Sequence, residues 1–340
     1  MKNRTLTALT IIALSLLQAC GGKKGPDVSG INVDFEIQRF DKAQFELDTT
    51  NLRAEFDALQ KQFPHFTNEF TSFILGIGPV SEEVSPEAEE LFRFFVRSYK
   101  PVYDSLKDQY KDMSTLKKEL QDAFRHVKYY FPSYEVPEVV SYIGPLDAPG
   151  IALTQHALAI GLQLFGGKDF FFYNTTEGQT LYPSYISRRF EKAYIPVNAM
   201  RSVIDDMFPP PAAGALIDQM IAGGKQWYLL DLFLPNTADS LKTGFTAAQL
   251  EFCTENEGNI WNFIMKATDL YTIDQPMIRM FIGDAPYTEG MPETSPGNIG
   301  QWIGFRIVQK YMSKFPDTSI EDLMKLDNRK LFQDAGYKPK

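Results

Sequence analysis

The sequence predicts an α+β fold, predominantly α-helical, with a small central sheet and helices around it. Apolar residues recur at spacings of three and four before residue 135 and again after Tyr182, the period of amphipathic helices. Between Val136 and Phe172, β-branched and aromatic residues instead cluster in PEVVSYIG, IALT and LAIGLQLF, bounded by Gly and Pro, which marks short strands. No internal repeat, low-complexity tract or long Pro- or Ser-rich linker divides the chain, so one compact unit is expected.

At the start, Lys2 and Arg4 precede an apolar stretch from Leu6 to Leu17 and then Leu17-Gln18-Ala19-Cys20. This is the pattern of a secretory signal with a lipobox. The apolar segment is too short to span a bilayer as a stable helix, and small Ala19 precedes the thiol to be modified. Residues 1–19 are therefore read as a signal peptide and Cys20 as the site of acylation, with chains such as palmitate replacing the cut signal as anchor. The text GGKKGPDVSG follows, so residues 20–33 are expected to form a lipidated, flexible leader. Residues 34–340 are expected to form a single domain, with a helical part over 34–135 and a sheet plus helices over 136–340.

Within that domain FEIQRF reads as a short extended piece. Leu52, Phe56, Leu59 and Phe63 stripe one helix that Pro64 ends, and Phe66, Phe70, Phe73, Ile74 and Ile77 stripe a second that ends at GIGP. Two further helices are predicted over 86–110 and 114–130. After the strands, helices are predicted at 183–194, 197–207, 214–233, 246–268 and 296–314.

The composition excludes several classes of function. Loss of Lys2 and Arg4 with the signal takes the formal charge from −9 to −11, which does not suit a nucleic-acid binder. With Cys20 acylated, Cys253 stands alone and reads as a small buried hydrophobe, so no intrachain disulfide is possible. The histidines His65, His126 and His156 are scattered, none lies in an HExxH arrangement, and no metal or other cofactor is assigned. A Gly-x-Ser-x-Gly elbow, a phosphate loop and a dinucleotide fingerprint are all missing. The carboxylate pairs Asp205–Asp206 and Glu255–Glu257 are the kind that helices leave solvated.

Two segments stand out. TENEGNIW, read as mid-helix, places Glu257 one turn before Trp261, with Asn256 beside it. SPGNIGQWIGFRIV offers Ser295 as a cap, Pro296 at the first helical position, and Gly300 and Gly304 on one face. Either these glycines serve helix packing while Glu257 pairs with a cation such as Arg306, or Glu257 lines a polar cleft. In ALIDQMIAGGKQWYLLDLFLP, Gly223 and Gly224 each cost about 1 kcal/mol relative to alanine in a helix, so a neighbour approaches closely there or the helix bends. Lys225 and Asp231 on that helix are surface charges or members of the same cleft.

Taken in order, INVDFEIQRFD, LAIGLQLFGGKDFFFY, LIDQMIAGGKQWYLLDLFLP, TENEGNIWNFI, DAPYTEGMPETSPGNIGQWIGFRIV and SIEDLM resemble the GldB-type gliding-motility lipoproteins of Bacteroidetes along nearly the whole mature length. The resemblance implies a lipid-anchored envelope protein at the outer membrane facing the periplasm, working through protein partners of the gliding apparatus and without established catalysis. The family is also distantly similar to HExxH zinc peptidases, which implies a degenerate zincin-like architecture. Here Gly223 stands where a carboxylate ligand would be and the histidine pair is missing. A non-enzymatic, partner-holding role follows, with Glu257, Asn256, Trp261, Lys225, Trp302 and Arg306 as the expected groove. The alternatives are an envelope hydrolase using Glu257 as acid or base, and a small-ligand-binding lipoprotein, which a parallel sheet would favour.

Overall fold

The structure, a computed structural model, describes residues 25–80, 84–211 and 213–339. The signal peptide over 1–19 and the acylated Cys20 lie outside the described residues. Strand β1 (Ile37–Arg39) leads into a turn of helix at Phe40 and then α1 (Leu52–Gln62), which buries Leu52, Phe56 and Leu59 on one side. The helical stripe expected to run from Phe66 to Ile77 is short and underwound. It passes into a π-helical turn over Phe70–Ile74, in which the Leu75 amide reaches back five residues to the Phe70 carbonyl. That extra residue per turn swings Phe73 off the buried face, leaving it 86% exposed.

Helix α2 (Pro86–Leu106) starts as its sequence dictates, with Pro86 in the first turn and the Ser85 hydroxyl accepting from the Ala88 amide. It stops one turn short of the expected end at 110. Helix α3 (Ser114–Tyr130) follows and buries Leu116, Leu120, Phe124 and Val127.

The sheet comprises β1, β2 (Glu138–Tyr142), β3 (Ile151–Leu153) and β4 (Ala157–Gly161), in the order β1-β2-β4-β3. β1 and β4 flank β2 in parallel, and β3 closes the edge antiparallel to β4. β4 is buried at every residue, as a strand covered on both faces must be. Asp41, 1% exposed, is held beneath β2 by Arg39 and by the Ser141 hydroxyl at 2.6 Å, and Arg39 also donates to the Tyr110 carbonyl.

The helix expected over 183–194 is broken. One turn at Ser184–Ser187 and a 3₁₀ turn at Lys192–Tyr194 flank Phe190, whose carbonyl accepts from the Gly167 amide. The tertiary bonds of Arg188 to the Gly244 carbonyl and Arg189 to Asp284 pull this stretch out of helical register. Then come α4 (Ile195–Met207) and α5 (Leu216–Phe233), which is apolar on nearly all sides.

The single helix expected over 246–268 is two, α6 (Ala247–Glu255) and α7 (Glu257–Ala267). Asn256 leaves helical geometry and its side-chain amide takes the Phe252 carbonyl, ending one helix and beginning the next. α8 (Gln275–Ile282) precedes α9 (Ile299–Lys314), which starts three residues later than expected. Ser295 and Pro296 do not cap it, because the Ser295 hydroxyl and the Pro296 carbonyl are taken by Thr288. Instead Asn298 adopts the left-handed conformation and its side chain bonds Gln301. α10 (Ile320–Lys325) and α11 (Asn328–Ala335) end the chain.

The result is predominantly helical with one small mixed sheet, as the sequence predicts. Two apolar cores lie side by side. The first joins the sheet, α1 to α4 and the end of α5 through Leu229, Leu230 and Phe233, whereas the second joins α6 to α11 to the start of α5 through Leu216, Ile217, Met220 and Ile221. The two cores thus share α5. Val28 and Val33, within the stretch expected to be a flexible leader, are buried, so the chain packs on the body from Gly25 onward.

Candidate functional site

Helices α5 and α9 cross with their backbones in contact. A Cβ placed on Gly304 would fall 1.7 Å from the Met220 carbonyl oxygen, and one on Gly224 would fall 2.2 Å from the Gly304 carbonyl carbon. Only glycine at both positions permits this approach. Gly300 meets the Phe281 carbonyl at 2.9 Å in the same way, so the packing reading of these glycines is what the structure shows.

Beside the crossing, side chains of the two helices enclose a cleft of about 220 Å³. Trp227 and Asp231 enter from α5, and Trp302, Phe305, Arg306 and Gln309 from α9. Leu250 and Thr254 of α6, Glu257 of α7, and the 239–243 turn complete it.

The charges of the cleft are arranged in two groups. Lys242, 7% exposed, donates to Asp231 and lies 2.8 Å from Asp239. Burial by itself lowers its pKa, but the hydrogen bonds it donates to both carboxylates outweigh that and leave it raised. On the far wall Glu257 accepts from the Arg306 guanidinium at 3.1 Å and from the Tyr337 hydroxyl at 2.7 Å. Burial, then the bond to Glu257, pushes the Tyr337 phenol well above its ordinary value. Arg306 also lies over the Trp302 ring at 5.9 Å. Glu257 opens α7, where the helix dipole favours a negative charge.

The six residues expected to share a groove are therefore divided. Glu257, Trp302 and Arg306 line the cleft together. Asn256 is the break between α6 and α7. Trp261, one turn beyond Glu257 on α7, does not line the cleft and packs on Phe332 and Tyr337 at 5.9 and 5.4 Å.

Lys225 leaves the opposite flank of α5, where its ammonium donates to the Leu326 and Met324 carbonyls at the end of α10. Trp227, Asp239, Lys242, Phe305 and Gln309 were not singled out from sequence. The usable signal was the i, i+4 spacing of Trp227 with Asp231, which follows Gly224, and of Trp302 with Arg306, which flanks Gly304.

Burial pushes the Lys225 pKa down to about 8. The native state therefore binds fewer protons than the unfolded chain between pH 8 and the unperturbed value near 10.5, and stability rises with pH across that window. Below pH 8 the burial cost is fully present. We expect a gain of up to ~3 kcal/mol on raising the pH from 7.5 to 10. Urea midpoints at the two pH values check this, and Lys225→Met should flatten the dependence.

The histidines also meet across the fold. The rings of His65 and His156 lie 4.9 Å apart where β2 and β4 begin, and His65 Nδ1 is 2.9 Å from Glu138. Sequence spacing gave no hint of it, since parallel pairing of β2 with β4 is what joins them. Among the described residues, no group of three or more His, Cys, Asp or Glu is placed to hold a metal ion. Cys253 is buried and its thiol is pushed up to about 12 by that burial.

Residues 21–339 match the family described as gliding motility protein GldB, a lipoprotein family. The chain belongs to the GldB family. The match spans both apolar cores and the α5–α9 cleft, which makes this a gliding-motility-associated family of the cell envelope with the fold described above. No curated protein and no solved structure matches the chain. No helix among the described residues is long and apolar enough to cross a membrane.

Proposed function

We propose that this protein is a membrane-anchored envelope lipoprotein, held by acyl chains on Cys20 at the outer membrane facing the periplasm. In this reading its α5–α9 cleft grips a protein partner of the gliding apparatus and performs no catalysis. The observation that carries the binding role is the cleft itself. It joins two tryptophans, a stacked arginine and a line of carboxylates in one concavity, the residue types that anchor protein interfaces. The Glu257 carboxylate already accepts on both oxygens, which suits a positioned structural anion better than a free acid or base.

The test compares partners captured by cross-linking from native envelopes for the intact chain, Cys20→Ala and Asp239→Arg. Asp239 is the most exposed carboxylate of the cleft, so its reversal changes the recognition surface while Lys242 keeps Asp231 as its counter-ion, and a thermal melt checks that the variant stays folded. Loss of a partner in both variants is expected. An unchanged partner set in either removes the corresponding half of the proposal, and stoichiometric zinc in the purified protein would favour a hydrolase.

The parallel pairing of β1, β2 and β4 favours, as a second reading, a small-ligand-binding lipoprotein. Ligands of parallel sheets sit beyond the carboxyl ends of the strands. Here that edge is packed, with the Tyr142 hydroxyl bonding the Pro149 carbonyl and a Cβ on Gly161 falling 2.5 Å from the same oxygen. The first reading is therefore preferred.

A further inference from the structure

Gly25, the first described residue, already packs on the body. A Cβ on it would lie 3.2 Å from Pro235 and 3.8 Å from His126 Nε2. Its φ of +96° is one that side-chain-bearing residues avoid. Just downstream, Ser29 bonds the Asp27 carboxylate, the Ile31 amide bonds the Val28 carbonyl, and Val28 and Val33 are buried. Only four residues, Gly21 to Lys24, separate Gly25 from Cys20. Five peptide steps span at most about 18 Å even when fully extended. A body of this size has a diameter of about 50 Å. A tether so much shorter than the body does not let it tumble freely over a bilayer.

Resting on the acylation of Cys20 proposed above, we infer that the face around Gly25, Arg125, Tyr129 and Asn236 lies against the lipid headgroups. Its chemistry fits that setting. Tyr129, one turn beyond Arg125 on α3, is 48% exposed, and a tyrosine ring with a polar tip is at home at a membrane interface. Arg125 and Asn236 line a concavity with residues 25–29, Asp122 and His126, a mixed-charge surface that suits zwitterionic headgroups. Lys23 and Lys24, inside the tether itself, add two cations that anionic headgroups attract. The opposite end of α5 is correspondingly remote. The Leu216 amide there bonds the Thr272 carbonyl, next to Ile273, which is 75% exposed. The 18 residues of α5 place that end about 27 Å from Phe233.

The full-length lipidated protein, carrying a fluorophore on Tyr129→Cys or on Ile273→Cys, is reconstituted into phosphatidylethanolamine–phosphatidylglycerol vesicles that hold a headgroup-level nitroxide quencher. Cys253 is buried and stays unlabelled. Fluorescence loss is expected at position 129 and not at 273. Inserting about ten Gly and Ser residues between Lys24 and Gly25 should abolish that difference while the protein still floats with the vesicles. Flotation with equal or reversed quenching overturns the orientation alone. Failure to float overturns the anchoring and the orientation together.

Discussion

Gly304→Ala is expected to lower the free energy of unfolding by about 3 kcal/mol or more, the upper range for forcing a methyl into a closed contact. The new Cβ would lie 1.7 Å from the Met220 carbonyl oxygen, and that oxygen belongs to a helix that cannot give way locally. α5 and α9 must separate, which opens the second apolar core where Ile221, Ile303 and Ile307 pack. Gly224→Ala meets the same obstacle from the other side, so the double variant should cost less than the sum of the two. Gly78→Ala is the control. It has a positive φ but open space around it, and should cost only the left-handed strain of about 1 to 2 kcal/mol. Urea unfolding of the four variants checks the order, and a Gly304→Ala loss no larger than that of the control would refute backbone contact at the crossing.

The second large effect belongs to Asp41. Its carboxylate is almost wholly buried and takes two bonds from Arg39 at 2.7 and 2.8 Å and one from Ser141 at 2.6 Å. Asp41→Ala leaves the guanidinium without its counter-ion beside β2, a loss of about 3 to 5 kcal/mol. Replacing both charged partners, as Arg39→Met with Asp41→Leu, should recover part of that loss because no charge is then left unpaired. Thermal melts of the single and double variants make the comparison. A double variant as unstable as Asp41→Ala would show that the network matters for its shape and not for its charge.

Neither effect follows from sequence alone to the same degree. Gly224 and Gly304 announced themselves, because a glycine within an apolar helix has a cost that close packing must offset. Which two helices met was not legible, since the sequence gives a periodicity and not a partner. Asp41 gave no signal, because its burial depends on Ser141, a hundred residues away on β2.

The same limit explains the site. Glu257 was found because TENEGNIW is too polar for a core stripe, and Trp302 and Arg306 because they stand in the glycine-bearing segment SPGNIGQWIGFRIV. Lys225 was assigned to the same groove because sequence does not show which side of α5 faces which neighbour, and Trp261 because sequence does not show that Phe332 and Tyr337 from the end of the chain cover it. Helices with one strong apolar stripe, such as α1 and α3, were read almost to the residue. The stretches decided by tertiary bonds were not, among them the π turn at Phe70, the break at Asn256 and the delayed start of α9 at Ile299.

Helix α5 also fixes how force travels through the molecule. Trp227 and Asp231 face the cleft from it, and Pro235, against which Gly25 rests, follows its last turn. A pull applied at Asp231 crosses only about 6 Å of chain rise, four residues, before it reaches the N-terminal segment. Only the last turn of α5 and the two residues after it separate the cleft from the Gly25 contact, so cleft and N-terminal segment share one end of the same helix.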